Sequence, residues 1–330
     1  MYANTLALFI YCLTNPGSKP RRILSLILSF NRVKKEARSI LFCPFVLEFF
    51  FKINIASSEV HLLPYSLMEI NVPGIVYLVG AGPGDPELIT LKALRLIRNS
   101  DALVHDALIT LDIIKEVGPN CEIHNVGKRA GCKSYKQSDI NQLLLKLAME
   151  GKNVVRLKGG DPFIFSRGGE EVAFLESNKI QIEIVPGITS GIAAPSYFGI
   201  PLSHRDGASS ITFVTGHEHS EKKETIVNWR KLAKSTDSLV IYMGIKNIEY
   251  IVNELMLGGL RKNTLSAVIQ EATLKNQKCH ITELSDLVRM IKAKDFKPPS
   301  IIIIGKIVGF QVKNYLTKPS NMILPVIKKN

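Results

Sequence analysis

A chain of 330 residues with 46% hydrophobic and 22% charged side chains has the balance of a globular protein and room for two α/β cores. Its net charge of +13 favours an anionic partner: nucleic acid, a membrane surface, or a polycarboxylate or phosphate substrate. Five cysteines without a Cys-x-x-Cys argue for a reducing, cytoplasmic setting and against a disulfide framework or a structural zinc.

Residues 1–71 read as a basic, apolar extension, and residues 1–67 carry eight Lys/Arg against three Asp/Glu. Their apolar runs, Leu6–Leu13, Ile23–Phe30 and Ile40–Phe51, are too short to cross a bilayer, and no secretory pattern is present. The extension is expected to be disordered, dispensable or not native, with Met68 a sensible start. The first convincing strand is Ile75–Gly80. It runs into Gly80-Ala81-Gly82-Pro83-Gly84-Asp85-Pro86 and then into a helix over Leu88–Arg98. Such a strand–loop–helix places bare backbone at the carboxyl edge of a sheet. Asp85 stands where a dinucleotide fingerprint needs its third glycine, and Pro83 lacks an N–H. A cationic or neutral adenosyl ligand therefore suits the loop better than NAD.

Strands over Ala102–Asp106, Cys121–Val126, Asn153–Lys158 and Ile182–Val185 then alternate with helices. The clearest helix is Ile140–Glu150, with Ser138 or Asp139 as cap and Gly151 as stop. The pattern shifts after Gly199-Ile200-Pro201, so Pro201–Gly207 marks the link between a first domain, 72–203, and a second, 204–313. A tail, 314–330, follows. The second domain shows strands at Ile211–Thr215, Leu239–Met243, Leu265–Gln270 and Cys279–Thr282, and a long run at Ser300–Val308. Its helices fall on Ile248–Leu257 and Leu284–Lys292.

Several strand ends carry candidate chemistry. Asp106 closes an apolar strand, as a site carboxylate or as a turn or N-cap residue. Lys128 and Arg129 sit between glycines; their repulsion eases deprotonation of Lys128, a candidate acid or base, and the plain alternative is a solvated basic turn. The strongest signal is Arg156-Leu157-Lys158-Gly159-Gly160-Asp161-Pro162-Phe163-Ile164-Phe165-Ser166-Arg167-Gly168-Gly169-Glu170-Glu171. Two glycine pairs imply close backbone approach to a ligand. Phe163 and Phe165 are core plugs by default, and Arg167 with Glu170 could form a simple helix-start ion pair. Thr189 or Ser190 can cap the next helix or bond a ligand. His204 and Arg205 lie at the hinge. His217 and His219 lack a third ligand, which argues against a metal.

Taken in order, Val79–Pro86, Val126–Gly131, Val154–Phe165, Arg167–Glu171, Val185–Ser190, Gly199–Asp206, Thr215-Gly216-His217 and Tyr242-Met243-Gly244 resemble the tetrapyrrole (class III) methyltransferase family. The likeness covers Gly74 to Val308, and within the family it points to the branch acting on uroporphyrinogen III. It implies two αβα domains with S-adenosylmethionine in the cleft between them, usually in a homodimer. It also implies C-methylation of an anionic tetrapyrrole, uroporphyrinogen III, at two ring carbons (C2 and C7), giving precorrin-2 for sirohaem or cobalamin. No metal, nucleic acid or integral membrane association is implied.

By motif position the family's cofactor contacts fall on Pro83, Gly159, Gly160, Asp161, Ile164, Thr189, Ser190, Met243 and Ala272. The proton acceptor and donor fall on Asp106 and Lys128. Arg167 and Glu170 join them as catalytic candidates, and Arg129 and Arg205 as substrate-binding ones. Three departures stand out: Ser166 and Ala272 replace usual glycines, and His105 replaces a common tyrosine. A sister enzyme acting on a later precorrin is the nearest alternative, and an NAD-dependent oxidoreductase is disfavoured by Asp85.

Overall fold

Apolar runs punctuated by glycine build the first sheet from β1 (Val76–Gly80), β2 (Ala102–His105), β3 (Glu122–Asn125), β4 (Val154–Lys158) and β5 (Ile182–Val185). All are parallel, in the order β3-β2-β4-β1-β5. The computed structural model describes residues 72–127, 135–217 and 226–312, all in one unit, Glu69–Asn330. The extension, the tail and the candidates Lys128 and Arg129 lie outside the described residues.

Helices α1 (Leu91–Arg98), α2 (Leu111–Ile114), α3 (Gln137–Met149), α4 (Gly168–Ser177) and α5 (Ser190–Tyr197) belong to this half. Side chains alternate across the sheet with period two. Val76, Leu78, Val104 and Val154 pack with Ile140, Leu144 and Leu147 of α3 and Leu175 of α4. Val79, Leu103, Val155 and Leu157 pack with Ala93 and Ile97 of α1 and Ile113 of α2. The adjacent strands β1 and β4 thus send their following helices to opposite faces. In such sheets the usual ligand position is the crevice outside the carboxyl ends of such a pair of strands.

The second sheet comprises β6 (Ile211–Thr215), β7 (Ser238–Tyr242), β8 (Leu265–Gln270), β9 (Lys278–Glu283) and β10 (Ser300–Ile304), ordered β6-β7-β10-β8-β9. β6 and β7 run parallel, whereas β7–β10, β10–β8 and β8–β9 are antiparallel. One face is covered by α6 (Trp229–Ser235), α7 (Ile248–Leu257) and α8 (Leu287–Ala293). The other face packs on Ala194 of α5, on Ile200, and on Ile307 and Val308. The last helix of the first half is therefore part of the second sheet's core. With both faces covered, Ile301 to Ile304 are all buried.

Boundaries differ from expectation where local chemistry intervenes. α1 starts at Leu91, because the Thr90 hydroxyl accepts from Ala93 N at 3.1 Å; Pro86–Leu88 form a separate 3-10 turn capped by Asp85. Asp139 is not the cap of α3. It lies one turn in, and its carboxylate accepts from Lys136 N at 3.1 Å. β10 stops at Ile304 although the apolar run continues. Gly305 turns away with φ +152, and a Cβ there would stand 2.3 Å from the Asp237 carbonyl oxygen. The chain then enters a 3-10 turn over Lys306–Phe310. α8 begins at Leu287, after a 3-10 turn over Leu284–Asp286. α6 was not anticipated; it is short and charged, and the Asn228 side chain caps it by accepting from Lys231 N. Pro201–Gly207 contains no helix or strand and is closed by the His204–Ala208 bridge.

Candidate functional site

The crevice is lined first by backbone. Gly82 and Gly160, in the loops after β1 and β4, exchange both hydrogen bonds, with Gly82 N donating at 3.1 Å and Gly160 N at 2.7 Å. Asp161 then ties the β4 loop to the β5 loop. Its Oδ1 accepts from Phe163 N at 2.8 Å and its Oδ2 from Gly187 N at 3.1 Å. A Cβ on Gly187 would lie 2.3 Å from the Gly160 carbonyl oxygen and 2.8 Å from the Gly80 carbonyl carbon. Gly159 is different: the nearest atom to its Cβ position is Leu108 Cβ at 3.9 Å, so its backbone is open to approach.

The second sheet supplies the opposite wall. The Tyr242 hydroxyl, at the end of β7, bonds Thr189 Oγ1 at 2.7 Å and accepts from Gly191 N at 2.9 Å. Burial pushes the Tyr242 phenol up, with these bonds opposing. Asp85 N donates to Thr273 Oγ1 at 3.1 Å, and Asp85 Oδ2 accepts from Tyr197 at 2.7 Å. Burial, and then this carboxylate, push the Tyr197 phenol far above its ordinary value. Non-glycine residues with left-handed backbone gather here: Phe165 (φ +52), Arg167 (+62), Met243 (+54), Glu271 (+49) and Thr273 (+70). Each such conformation is costly, and concentration of strain is a mark of functional sites.

All nine cofactor candidates lie on these loops. Gly160 approaches Thr189, with its Cβ position 3.5 Å from Thr189 Cα and 3.7 Å from Ser190 N. Ile164 and Ala272 both pack on the core of the second sheet. Pro83 is half-buried between Gly82 and Gly84, and Met243 is 48% exposed beside Tyr242. Thr189 stands at the N-cap position of α5 without making a capping bond, since its hydroxyl is engaged by Tyr242. Phe163 and Phe165 are not core plugs; both are exposed, and the Phe165 ring lies 4.9 Å from that of Tyr242. Ser166 does not carry the loop's strain, which falls on its neighbours, and its hydroxyl donates to the Pro162 carbonyl. Bare backbone, apolar Ile164, Met243 and Ala272, and the Asp161 carboxylate fit a neutral adenosyl group bearing a cationic sulfonium.

Below the crevice, Asp106 is neither a helix cap nor a turn residue by its side chain. Its Oδ1 accepts from Arg156 Nη2 at 2.6 Å. Arg156 Nε donates to Glu171 Oε1 at 3.1 Å, and Lys158 Nζ donates to Glu171 Oε2 at 2.9 Å. Gln137 Nε2 also donates to Glu171 Oε1, at 3.1 Å. Arg156, Lys158 and Glu171 are 2%, 1% and 0% exposed. Burial, and then Arg156, hold the Lys158 ammonium below its ordinary value. For Arg156 burial works against the charge, but Asp106 and Glu171 outweigh it and move the guanidinium up. His105 donates from Nδ1 to the Asp106 carbonyl oxygen at 2.9 Å.

Arg167 and Glu170 do form the plain ion pair, exposed at the start of α4: Nε to Oε1 at 2.9 Å and Nη2 to Oε2 at 2.7 Å. Arg205 is exposed on the turn closed by His204 and Ala208, and no contact among the described residues joins it to the crevice. Among the described residues no group of three His, Cys, Asp or Glu could hold a metal; Glu218 and His219 lie outside them. Arg156, Lys158, Glu171 and Tyr242 fall inside the motifs that stand out in the sequence, but the sequence assigns no role to them, and Thr273 lies outside those motifs. The available signal was two cations two residues apart in a strand that had to be buried on both faces.

Comparison with known proteins accords with this geometry. The family model of tetrapyrrole (corrin/porphyrin) methylases matches residues 75–288. A uroporphyrinogen-III C-methyltransferase of Synechocystis sp. is 47% identical over 243 residues, covering 74% of this chain and 92% of that protein. One from Methanocaldococcus jannaschii is 49% identical over 237 residues, covering 72% and 97%. Among solved structures, uroporphyrin-III C-methyl transferase from Thermus thermophilus, complexed with S-adenyl homocysteine, matches with a TM-score of 0.62. That likeness is at 36% identity and covers 72% of this chain and 99% of the other. The chain belongs to the tetrapyrrole methylase family.

Proposed function

We propose that this protein is an S-adenosylmethionine-dependent methyltransferase that converts uroporphyrinogen III to precorrin-2 by methylating two ring carbons, on a route to sirohaem or cobalamin. The observation that carries this is the high identity to enzymes of that name over nearly their whole length. When bound, S-adenosylmethionine supplies an electrophilic methyl group on a sulfonium. The open backbone at Gly159, the Gly160 turn and the Tyr242-anchored Thr189 position that group, while Ile164, Met243 and Ala272 exclude water from it. Positioning and water exclusion lower most of the barrier to such a transfer.

Asp106 receives the proton lost from the methylated carbon, or holds the cation that precedes its loss. Lys128 acts as the proton donor, and Arg129, Arg167 and Arg205 bind substrate carboxylates. The basic balance of the chain draws in such a polyanion. The reading extends to a cytoplasmic homodimer, on the strength of cysteine usage and of the family resemblance. Two domains, one per sheet, meet at Pro201–Gly207.

The test is direct. Purified protein with uroporphyrinogen III and labelled S-adenosylmethionine should yield a doubly methylated product, and absence of labelled tetrapyrrole overturns the reading. Arg167→Ala should then lower kcat/KM by about tenfold to a hundredfold, the worth of a charge-assisted contact, with S-adenosylhomocysteine affinity unchanged by calorimetry. Wild-type kcat/KM in that variant removes Arg167 from substrate handling.

A further inference from the structure

Four charges of zero net sum, Asp106, Arg156, Lys158 and Glu171, run in a chain of contacts from the interior to the crevice. Three of the four are buried in the core, and Asp106, whose side chain is 34% exposed, is where the chain of contacts meets solvent. The fold does not require them. Val154 precedes Arg156 and Lys158 on the same face of β4 and packs against α3 and α4, and apolar residues of similar size usually serve such positions as well as buried ion pairs do. Their arrangement is directional. Val104 and Arg156 are opposite each other in the β2–β4 register, so the Arg156 guanidinium reaches just past the end of β2, to Asp106.

We infer that Arg156 is a positioning residue: it fixes the Asp106 carboxylate at the crevice floor, and Glu171, braced by Lys158 and Gln137, fixes Arg156. The planar fork makes this possible, because one edge engages Glu171 through Nε while Nη2 holds Asp106 Oδ1. Nη1 lies 3.4 Å from the carbonyl oxygens of both Val104 and Leu157, which pins the third arm of the fork to backbone. Asp106 Oδ2 has no hydrogen-bond partner among the described residues, which leaves it for the substrate. A lysine at 156 could supply the charge but not the fork. The inference rests on the reading of Asp106 as the group that handles the substrate proton.

A double-mutant cycle tests it in the full chain, with uroporphyrinogen III as substrate and S-adenosylhomocysteine calorimetry as the check of an intact crevice. Arg156→Gln should lower kcat about a hundredfold with KM changed less than about threefold, and Arg156→Lys should recover about tenfold of that loss. In an Asp106→Asn background, Arg156→Gln should cost less than about threefold further, because the group it positions is gone. If Arg156→Gln lowers kcat by the same factor with or without Asp106, the residue does not act through Asp106 and the inference is overturned. Wild-type kcat in Arg156→Gln overturns it as well. Should Arg156→Gln fail to bind S-adenosylhomocysteine, the charge-keeping Arg156→Lys carries the same cycle under the same criterion. Wild-type kcat in Asp106→Asn alone overturns the reading of Asp106 and this inference with it, whereas an additive cycle with a slow Asp106→Asn overturns the inference alone.

Discussion

Glu171→Ala is expected to destabilise the protein by about 3–5 kcal/mol, lowering its unfolding temperature by roughly 6–20 °C for a body of this size. The carboxylate is fully buried and receives donors from Arg156, Lys158 and Gln137. Removing it leaves two cations in the core with one counter-charge, Asp106, at the edge. The neighbouring carboxylate gives the control. Glu170 is more than half exposed and pairs with an exposed arginine, so Glu170→Ala should cost less than about 1 kcal/mol. Thermal unfolding of the two variants side by side is the measurement. A Glu171→Ala protein that melts with the wild type would mean that the buried cations are neutralised in another way.

Gly187→Ala should weaken S-adenosylhomocysteine binding by about a hundredfold or more, read by calorimetry, while the far-ultraviolet spectrum stays that of the wild type. The new methyl would meet the Gly160 carbonyl oxygen at 2.3 Å and the Gly80 carbonyl carbon at 2.8 Å. Both are backbone, so the loops after β1 and β4 must move apart, and overpacking of this kind costs about 1–3 kcal/mol or more. The displacement falls on the turn that carries Gly159 and Gly160, where small errors of position are amplified. Gly169→Ala is the matched control: nothing lies within 4 Å of its Cβ position, and binding should not change. Equal affinities in the two variants would separate this turn from the ligand.

Much of this was legible in the residues. The strands of the first sheet announce themselves because a parallel sheet covered on both faces demands continuous apolar runs, and glycines mark where they end. The Gly-rich loops at their ends stand out for the same reason, since strand ends in such a sheet converge, whereas the nine cofactor candidates rest on the family resemblance. Other features depended on partners distant in sequence. Arg156 and Glu171 are fifteen positions apart and meet only because α4 folds back over β4. Tyr242 reads as one residue of the apolar strand Leu239–Met243, and its hydroxyl acquires a role only when α5 arrives against the second sheet. β10 ends at Ile304, short of the run to Val308, because Gly305 approaches the Asp237 backbone closely, a contact that Gly305-Lys306 does not reveal in the sequence. Arg167 with Glu170 shows the reverse: the simplest local pairing is the one the structure displays.

The hydrogen bonds that cross from one sheet to the other have a consequence for how the crevice breathes. Gly191 N is held by a tyrosine of the second sheet, and Asp85 N by a threonine of its β8–β9 loop. These two amides surrender their protons to solvent only when the walls part. Their exchange rates therefore gauge opening of the crevice, apart from fraying of either sheet, and a ligand that spans both walls should slow the two together.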